Sequence, residues 1–203
     1  MMAVPLDCTA LDAVIIDLDG TMVDTLGDFA QALNLMLDDV ALPHLDPPAI
    51  AHMVGKGSEH LLNLVLNHAL AQAGHARSAI EREALYARAW PSYQRHYLRI
   101  NGQFASVYPG VPEGLQALRD AGLRLACLTN KPLPFALALL RATGLDGFFA
   151  HIFGGDSFEK KKPDPLPLLK TCQALGPLPA RTLMVGDSRT AAQSARPAGC
   201  PLE

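Results

Sequence analysis

Short runs of apolar residues recur along this chain, and polar or glycine-rich residues follow each run at once. The four runs are AVII at 13–16, LRLACL at 123–128, AHIF at 150–153 and TLMV at 182–185. Near-continuous apolar runs of this length are typical of parallel strands that are buried on both faces. The pattern therefore predicts four strands of one buried parallel sheet.

Helical patterns separate the later runs. They lie at 113–121, 134–143 and 165–175, and a glycine ends each of them, as is common at helix C-termini. Strands that alternate with helices of this length indicate an open α/β sheet. We therefore predict a Rossmann-like parallel α/β core.

The stretch from 25 to 100 breaks this alternation, because its apolar spacing is helical throughout. The helical patterns lie at 26–40, 58–73 and 78–98. Pro91 is expected to kink or divide the last of them. We predict an inserted all-helical domain at 25–105, and a Rossmann-like core made of 1–24 and 106–203.

Composition narrows the function classes. The chain has 203 residues, of which 49% are hydrophobic, and a net charge of −3, so neither disorder nor a basic nucleic-acid-binding face is indicated. No apolar run approaches the roughly 18 residues of a membrane span, and the start lacks the pattern of a signal peptide. We expect a cytoplasmic monomer or homodimer with no nucleic-acid or membrane partner.

The cysteines do not form a recognisable pattern. Cys8, Cys127, Cys172 and Cys200 lie far apart without a C-x-x-C spacing, which argues against a disulfide framework or a zinc site. Cys127 and Cys172 have apolar neighbours and are predicted to be small core residues.

The candidate chemistry lies where the predicted strands end, because the carboxyl ends of parallel strands meet at one edge of a sheet. Asp17 and Asp19 directly follow the first run, and two carboxylates at positions i and i+2 can face the same side of the chain. Burying them together is costly unless a cation or a catalytic task compensates. Gly20 permits a sharp turn, and the Thr21 hydroxyl can hold a carboxylate or the turn.

These residues read D-L-D-G-T at 17–21, and the sequence resembles the haloacid dehalogenase-like superfamily of phosphotransferases over the whole chain. Three further motifs of that superfamily follow in order. They are Thr129 in L-T-N-K-P, Lys162 in K-P-D-P, and Asp187 in G-D-S. Lys161 is the alternative to Lys162 for the lysine of the third motif.

The resemblance implies a covalent mechanism with magnesium. Asp17 would be the nucleophile that forms an aspartyl-phosphate, and Asp19 would protonate the leaving group and then deprotonate the attacking water. Magnesium would be held by Asp17, by the backbone carbonyl of Asp19 and by Asp187.

The same resemblance implies the phosphate ligands. Thr129 and the backbone N–H of Asn130 would hold phosphoryl oxygens, and Lys162 would neutralise charge on the phosphoryl group and the nucleophile. Lys131 would support the phosphate or be a surface charge.

The helical insert and the sequences T-N-K-P, G-G-D-S and V-G-K-G look closest to bacterial phosphoglycolate phosphatases. That resemblance implies a small phosphorylated carboxylic acid, 2-phosphoglycolate, as substrate. Lys56 in the V-G-K-G loop would bind the substrate carboxylate, unless the loop is a plain turn. A related phosphatase or mutase that acts on a small sugar phosphate is the alternative, whereas Asp19 disfavours a dehalogenase or a phosphonatase.

Two departures from the family pattern suggest weaker magnesium binding and a less stable protein. Ala191 stands where the family usually has a second acid, so a phosphate-binding scaffold with impaired turnover is a further alternative. After A-G-C-P at 198–201 the family normally continues into another strand, whereas this sequence ends at Glu203. We therefore expect one side of the 182–185 strand to be exposed.

Overall fold

The computed structural model of the protein describes residues 10–74 and 78–203, so Cys8 lies outside the described residues. Within them the strands are β1 (Ala13–Ile16), β2 (Val23–Asp24), β3 (Ser106–Val107), β4 (Arg124–Leu128), β5 (His151–Phe153) and β6 (Thr182–Val185). The α-helices are α1 (Leu26–Asp39), α2 (Pro47–Ala51), α3 (Ser58–Gln72), α4 (Ala79–Ile100), α5 (Val111–Asp120), α6 (Leu133–Ala142), α7 (Leu166–Leu175) and α8 (Arg189–Ala198).

The chain forms two compact units. One consists of the chain up to Met22 together with Val107–Glu203, and the other is Val23–Ser106. The first is called the α/β unit below and the second the helical unit. The short strands β2 and β3 pair with each other where the chain passes between the two units.

A four-stranded parallel sheet in the order β5-β4-β1-β6 forms the centre of the α/β unit. All four residues of β1 are buried, as expected for a central strand covered on both faces. The four strands and the Rossmann-like fold class predicted from the sequence are therefore confirmed.

One face of the sheet packs against α7 and α8. Ile15, Ala126 and Met184 of the sheet share a buried cluster with residues of both helices, among them Leu168 and Ala195. Because strand side chains alternate between faces, Asp17 continues the side of β1 that carries Ile15. This packing fixes the positions of the strand ends relative to one another.

The outer side of β6 is paired, which corrects the expectation that it is exposed. The Met184 amide donates to Pro201 O at 2.9 Å, and the Glu203 amide donates to Met184 O at 2.9 Å. The Gly186 amide in turn donates to Glu203 O at 3.0 Å. The last three residues therefore lie along β6 as a parallel strand would, with one bridge between Met184 and Leu202.

The helical unit is built from α1 to α4, with α1 packed against the other three. Pro91 does not divide the last predicted helix, since α4 runs without interruption from Ala79 to Ile100. Ser78 and Glu81 form a capping box at its start. The short helix α2 was not predicted; its N-terminus is capped by Asp46, which accepts from the Ala49 amide at 3.1 Å.

Asp28, a fully buried carboxylate in the first turn of α1, ties the two ends of the helical unit together. It accepts from the Gly102 amide at 2.6 Å and the Phe104 amide at 2.8 Å. A Cβ on Gly27 would lie 2.4 Å from Phe104 O, so only glycine permits this approach. Among the described residues, no helix is long and apolar enough to cross a membrane.

Candidate active site

Polar residues follow three adjacent strands of the α/β unit. The Asp17 amide donates to Val185 O at 2.9 Å, and the Thr129 amide donates to Phe153 O at 3.1 Å, so the hydrogen-bond ladder continues one residue beyond β1 and β4. Asp187 follows β6, the neighbour of β1, after a single glycine. The sheet therefore brings together residues that are more than a hundred positions apart in the sequence.

Asp17 and Lys162 form a buried ion pair. The Lys162 Nζ lies 2.7 Å from Asp17 Oδ2, with 1% and 9% of the two side chains exposed. Lys162 also donates to Leu128 O at 2.9 Å, and the Leu18 amide donates to Asp17 Oδ1 at 2.9 Å. Burial raises the pKa of Asp17, and the Lys162 ammonium opposes part of that rise.

The loop that carries Lys162 is held by Asn130, whose side-chain amide donates to Lys162 O at 2.9 Å. Lys161 is half-buried and Lys160 exposed, whereas Lys162 is buried. Of the two lysines that the sequence left open, the structure places Lys162 on Asp17. The side-chain contact of Asn130 was missed, because the family pattern assigns a task only to its backbone.

Asp19 pairs with a different lysine. The Lys131 Nζ lies 2.7 Å from Asp19 Oδ1, with 1% of the Lys131 side chain and 14% of the Asp19 side chain exposed. Lys131 is therefore not a surface charge. Its amide donates to Thr129 Oγ1 at 3.1 Å, so the Thr129 hydroxyl also organises this loop.

Asp187 is held by Thr21, from the far side of the D-x-D-G-T turn. The Thr21 hydroxyl donates to Asp187 Oδ1 at 2.9 Å, and the Asp187 amide donates back to that hydroxyl at 3.2 Å. Gly20, which lies between Asp19 and Thr21 in this turn, has a φ of +80°. A Cβ on Gly20 would come within 2.5 Å of Asp187 Oδ2, so glycine is required both by conformation and by space.

The oxygen atoms at this edge fit a magnesium ion. Mg²⁺ binds oxygen ligands and commonly uses one or two carboxylates with waters and substrate phosphate. Asp17 and Asp187 follow neighbouring strands, and the missing Cβ of Gly20 leaves room for the Asp187 carboxylate. Within residues 10–74 and 78–203, no group of three or more His, Cys, Asp or Glu side chains could hold a metal. The predicted set needs only two carboxylate side chains and one backbone carbonyl.

A pair of glycines after β5 allows the T-N-K-P loop to pack closely. A Cβ on Gly154 would lie 2.3 Å from the Leu133 nitrogen, and one on Gly155 would lie 2.3 Å from Asn130 O. The Gly155 amide donates to Lys131 O at 2.8 Å. Asp156 accepts from the Leu133 amide at 2.7 Å, at the start of α6. Sequence reasoning missed these supporting roles, although G-G-D directly after a strand was the available signal.

Two further positions singled out from the sequence are Ala191 and Lys56. Ala191 is fully buried in the core cluster, and its Cβ would lie 2.8 Å from a Cβ on Gly186. Lys56 is exposed in the helical unit, in the loop before α3, between Gly55 at φ +117° and Gly57 at φ +90°. Its binding role stays a prediction.

A family model for haloacid dehalogenase-like hydrolases matches residues 11–199. The chain belongs to the haloacid dehalogenase-like hydrolases. The resemblance seen in the four motifs is thus confirmed, and the protein is an enzyme of the hydrolase class. Phosphatases of this family generally use Mg²⁺.

Several similar proteins carry the name phosphoglycolate phosphatase. The chain is 41% identical to the phosphoglycolate phosphatase of Thiobacillus denitrificans, over 95% of this chain and 82% of that protein. It is 45% identical to the phosphoglycolate phosphatase of Nitrosospira multiformis, over 93% of this chain and 80% of that protein. The crystal structure of a predicted phosphoglycolate phosphatase from Haemophilus somnus superposes with a TM-score of 0.90 at 31% identity, over 96% of this chain and 84% of that one.

The charges of this hydrolase site suit a phosphate ester. With all three carboxyl groups ionised, they and the two buried lysines carry one net negative charge, and a divalent cation would convert it into a net positive charge. The arrangement combines the buried Asp17 carboxylate with two buried lysines that can stabilise negative charge.

Proposed function

We propose that this protein is a magnesium-dependent phosphatase that hydrolyses 2-phosphoglycolate to glycolate and phosphate through an aspartyl-phosphate. The observation that carries the proposal is the buried Asp17–Lys162 pair at the end of β1, beside the strand that leads to Asp187. The names of the relatives at 41% and 45% identity support the choice of substrate.

Asp17 attacks phosphorus in the first step. The Asp17 Oδ–P bond forms, the P–O bond to the ester oxygen breaks, and Asp19 delivers a proton to that oxygen. In the second step a water oxygen attacks phosphorus, the Asp17–P bond breaks, and the water proton passes to Asp19. Asp17 and Asp19 are thereby restored for the next turnover.

The phosphoryl oxygens are held by the T-N-K-P loop and by Lys162. The Thr129 hydroxyl and the Asn130 amide donate to them, and Lys162 balances the nucleophile and the phosphoryl group. Lys131 was expected either to support the phosphate or to be a surface charge, but its ammonium lies on Asp19. The hydrogen-bond donors of the T-N-K-P loop are preorganised, because hydrogen bonds such as that from the Asn130 side chain to Lys162 O already anchor the loop.

Asp17, the Asp19 backbone carbonyl and Asp187 would hold Mg²⁺. When bound, the ion offsets repulsion between the carboxylates and the phosphate and stabilises charge on the phosphoryl oxygens. Thr21 and Gly20 position Asp187 for this task.

Lys56 would bind the carboxylate of the substrate. The loop around Lys56 is flanked by glycines with positive φ, which suits a compact anion-binding turn before α3.

The proposal also includes a cytoplasmic protein that acts as a monomer or homodimer on a small phosphorylated acid, without nucleic acid.

Phosphate release measured with 2-phosphoglycolate and with hexose phosphates tests the proposal. We expect release with 2-phosphoglycolate and Mg²⁺, a large loss in excess chelator, and complete loss in Asp17→Asn with an unchanged circular dichroism spectrum. Equal release in chelator would contradict the metal role. A preference for hexose phosphates would support the sugar-phosphate alternative, and phosphate binding without turnover would support the scaffold alternative.

A further inference from the structure

Lys131 is a buried cation that lies on a carboxylate, whereas the sequence left it as a phosphate support or a surface charge. Its Nζ lies 2.7 Å from Asp19 Oδ1, and only 1% of its side chain is exposed. Burying an ammonium is costly unless a charged partner compensates. The contact joins the T-N-K-P loop after β4 to the D-x-D-G-T turn after β1 within the same α/β unit.

The main chain of Lys131 is held on both sides. Its amide donates to Thr129 Oγ1 at 3.1 Å, and its carbonyl accepts from the Gly155 amide at 2.8 Å. A Cβ on Gly154 would lie 2.8 Å from that carbonyl oxygen, so the two glycines after β5 pack tightly against it. Hydrogen bonds therefore anchor the main chain of Lys131, from which the side chain reaches Asp19.

We propose that Lys131 is a positioning residue for proton transfer, which holds the Asp19 carboxylate in place for the leaving oxygen. This inference rests on the proposed phosphatase mechanism. Proton transfer requires the acid to lie within hydrogen-bond reach of the accepting atom. A contact to Oδ1 restricts rotation of the carboxylate group, so the place of Oδ2 is set as well.

Lys131 undergoes no covalent change in this scheme. The proton that reaches the ester oxygen comes from Asp19, and the proton lost by water returns to Asp19, while the Lys131 ammonium keeps its own protons. The role differs from phosphate binding in one measurable way. A positioning residue for the acid matters only when the leaving oxygen needs a proton.

The experiment compares two substrates that differ in this need. The glycolate alkoxide of 2-phosphoglycolate requires protonation, whereas p-nitrophenolate leaves without it. We measure kcat/KM, because this ratio reports steps up to release of the alcohol and excludes hydrolysis of the aspartyl-phosphate. In Lys131→Met we expect a fall of about 100-fold or more with 2-phosphoglycolate, the lower range for general acid catalysis, and a fall of less than about 10-fold with p-nitrophenyl phosphate.

Control variants distinguish the proposed role of Lys131 from a general loss of positive charge and from a loss of folding. Lys131→Arg keeps a cation and should recover much of the activity with 2-phosphoglycolate. Lys170→Met, which removes an exposed lysine of the same unit, should leave both substrates unaffected. Adding Lys131→Met to Asp19→Asn should cause little further loss with 2-phosphoglycolate, because the two residues act as one unit.

An equal loss with both substrates would overturn the inference and assign Lys131 to phosphate binding. Lys131→Gln provides the same comparison if the methionine variant does not fold. If the unmodified protein hydrolyses a different alkyl phosphate, the proposed substrate is wrong, and the comparison made with that alkyl phosphate still decides the role of Lys131.

Discussion

Asp17 Oδ2 and the Lys162 ammonium lie 2.7 Å apart, in a part of the α/β unit from which solvent is almost excluded. Asn130 holds the Lys162 carbonyl, and Leu128 O accepts a second hydrogen bond from the same ammonium. The pair is thus built into the sheet edge from two sides. In the proposed mechanism, Asp17 therefore needs no rearrangement of its counter-charge when negative charge develops on the phosphoryl oxygens.

Lys162→Met should lower kcat by about 100-fold or more, the usual cost of removing one preorganised charge-stabilising group. Steady-state kinetics with 2-phosphoglycolate measure the effect. Lys160→Met and Lys161→Met are the matched controls from the same lysine run, and both should retain most of the activity. Comparable losses at 161 and 162 would contradict the assignment of Lys162 as the site lysine.

Gly20→Ala should impair magnesium use beyond its effect on stability. The new Cβ would lie 2.5 Å from Asp187 Oδ2, so the carboxylate must move. Gly122→Ala is the matched control, because Gly122 has a φ of +81° and nothing within 4 Å of an added Cβ. Both variants should lose about 1–2 kcal/mol from the left-handed backbone. Only Gly20→Ala should raise the magnesium concentration needed for half-maximal activity, and equal magnesium curves would refute the close-approach argument.

Ala191→Asp tests the departure from the family pattern. An acid at this position should lower the magnesium concentration for half-maximal activity, since groups that support metal ligands are typically worth about 10- to 100-fold in affinity or activity. Ala191 is fully buried, so the variant should also melt at a lower temperature. Gln193→Asp adds the same charge at an exposed position of α8 and should change neither quantity. An unchanged magnesium curve in Ala191→Asp would show that the family role does not apply here.

Asp39 should make the helical unit sensitive to acid. Hydrogen bonds from Ser92 and His96 lower the pKa of this carboxyl, and Arg95 adds a further contact at 2.9 Å. Because the folded pKa lies below the unfolded value, the unfolded state binds more protons as the pH falls. The stabilisation is complete above a pH of about 4, the unfolded value, and is lost as the pH falls through the folded pKa.

The measurement is Tm against pH for the unmodified protein and Asp39→Asn. The difference in Tm should be largest near neutral pH and should shrink below a pH of about 4. Asp38→Asn is the neighbouring control, since Asp38 and its partner His44 are both more than half exposed. A Tm difference that stays constant down to pH 3 would exclude this role for Asp39.

Much of the architecture could be predicted because its signals are local. Runs such as AVII at 13–16 are apolar at every position, which is typical of a strand covered on both faces, and β1 is such a strand. The helical insert could be predicted equally well, because the spacing of its apolar residues is helical throughout. Pro91 was expected to kink or divide the last helix, and the division is wrong, because α4 continues through Pro91 without interruption. Helix α4 packs against α1, and tertiary packing of this kind can override a local propensity.

The sequence by itself determined the strands, the helical insert and the four motifs, because each depends on residues that are neighbours in the chain. Only the tertiary structure decided which partners meet. Lys161 and Lys162 are adjacent and chemically identical, so only the fold of their loop decides which one reaches Asp17. Cys172 and Cys200 show the same dependence, since their sulfur atoms lie 3.9 Å apart despite their separation in the sequence.

The same reasoning applies to the pairs Lys131–Asp19 and Thr21–Asp187, and to the pairing of the last residues with β6. Each contact joins segments whose distance is set by strand order and register. A motif specifies which functional groups are present, whereas strand order, register and the close approach allowed by glycine at positions such as Gly20 and Gly155 set the distances between them. Those distances depend on the packing of the whole α/β unit, so they cannot be predicted from any short stretch of the sequence.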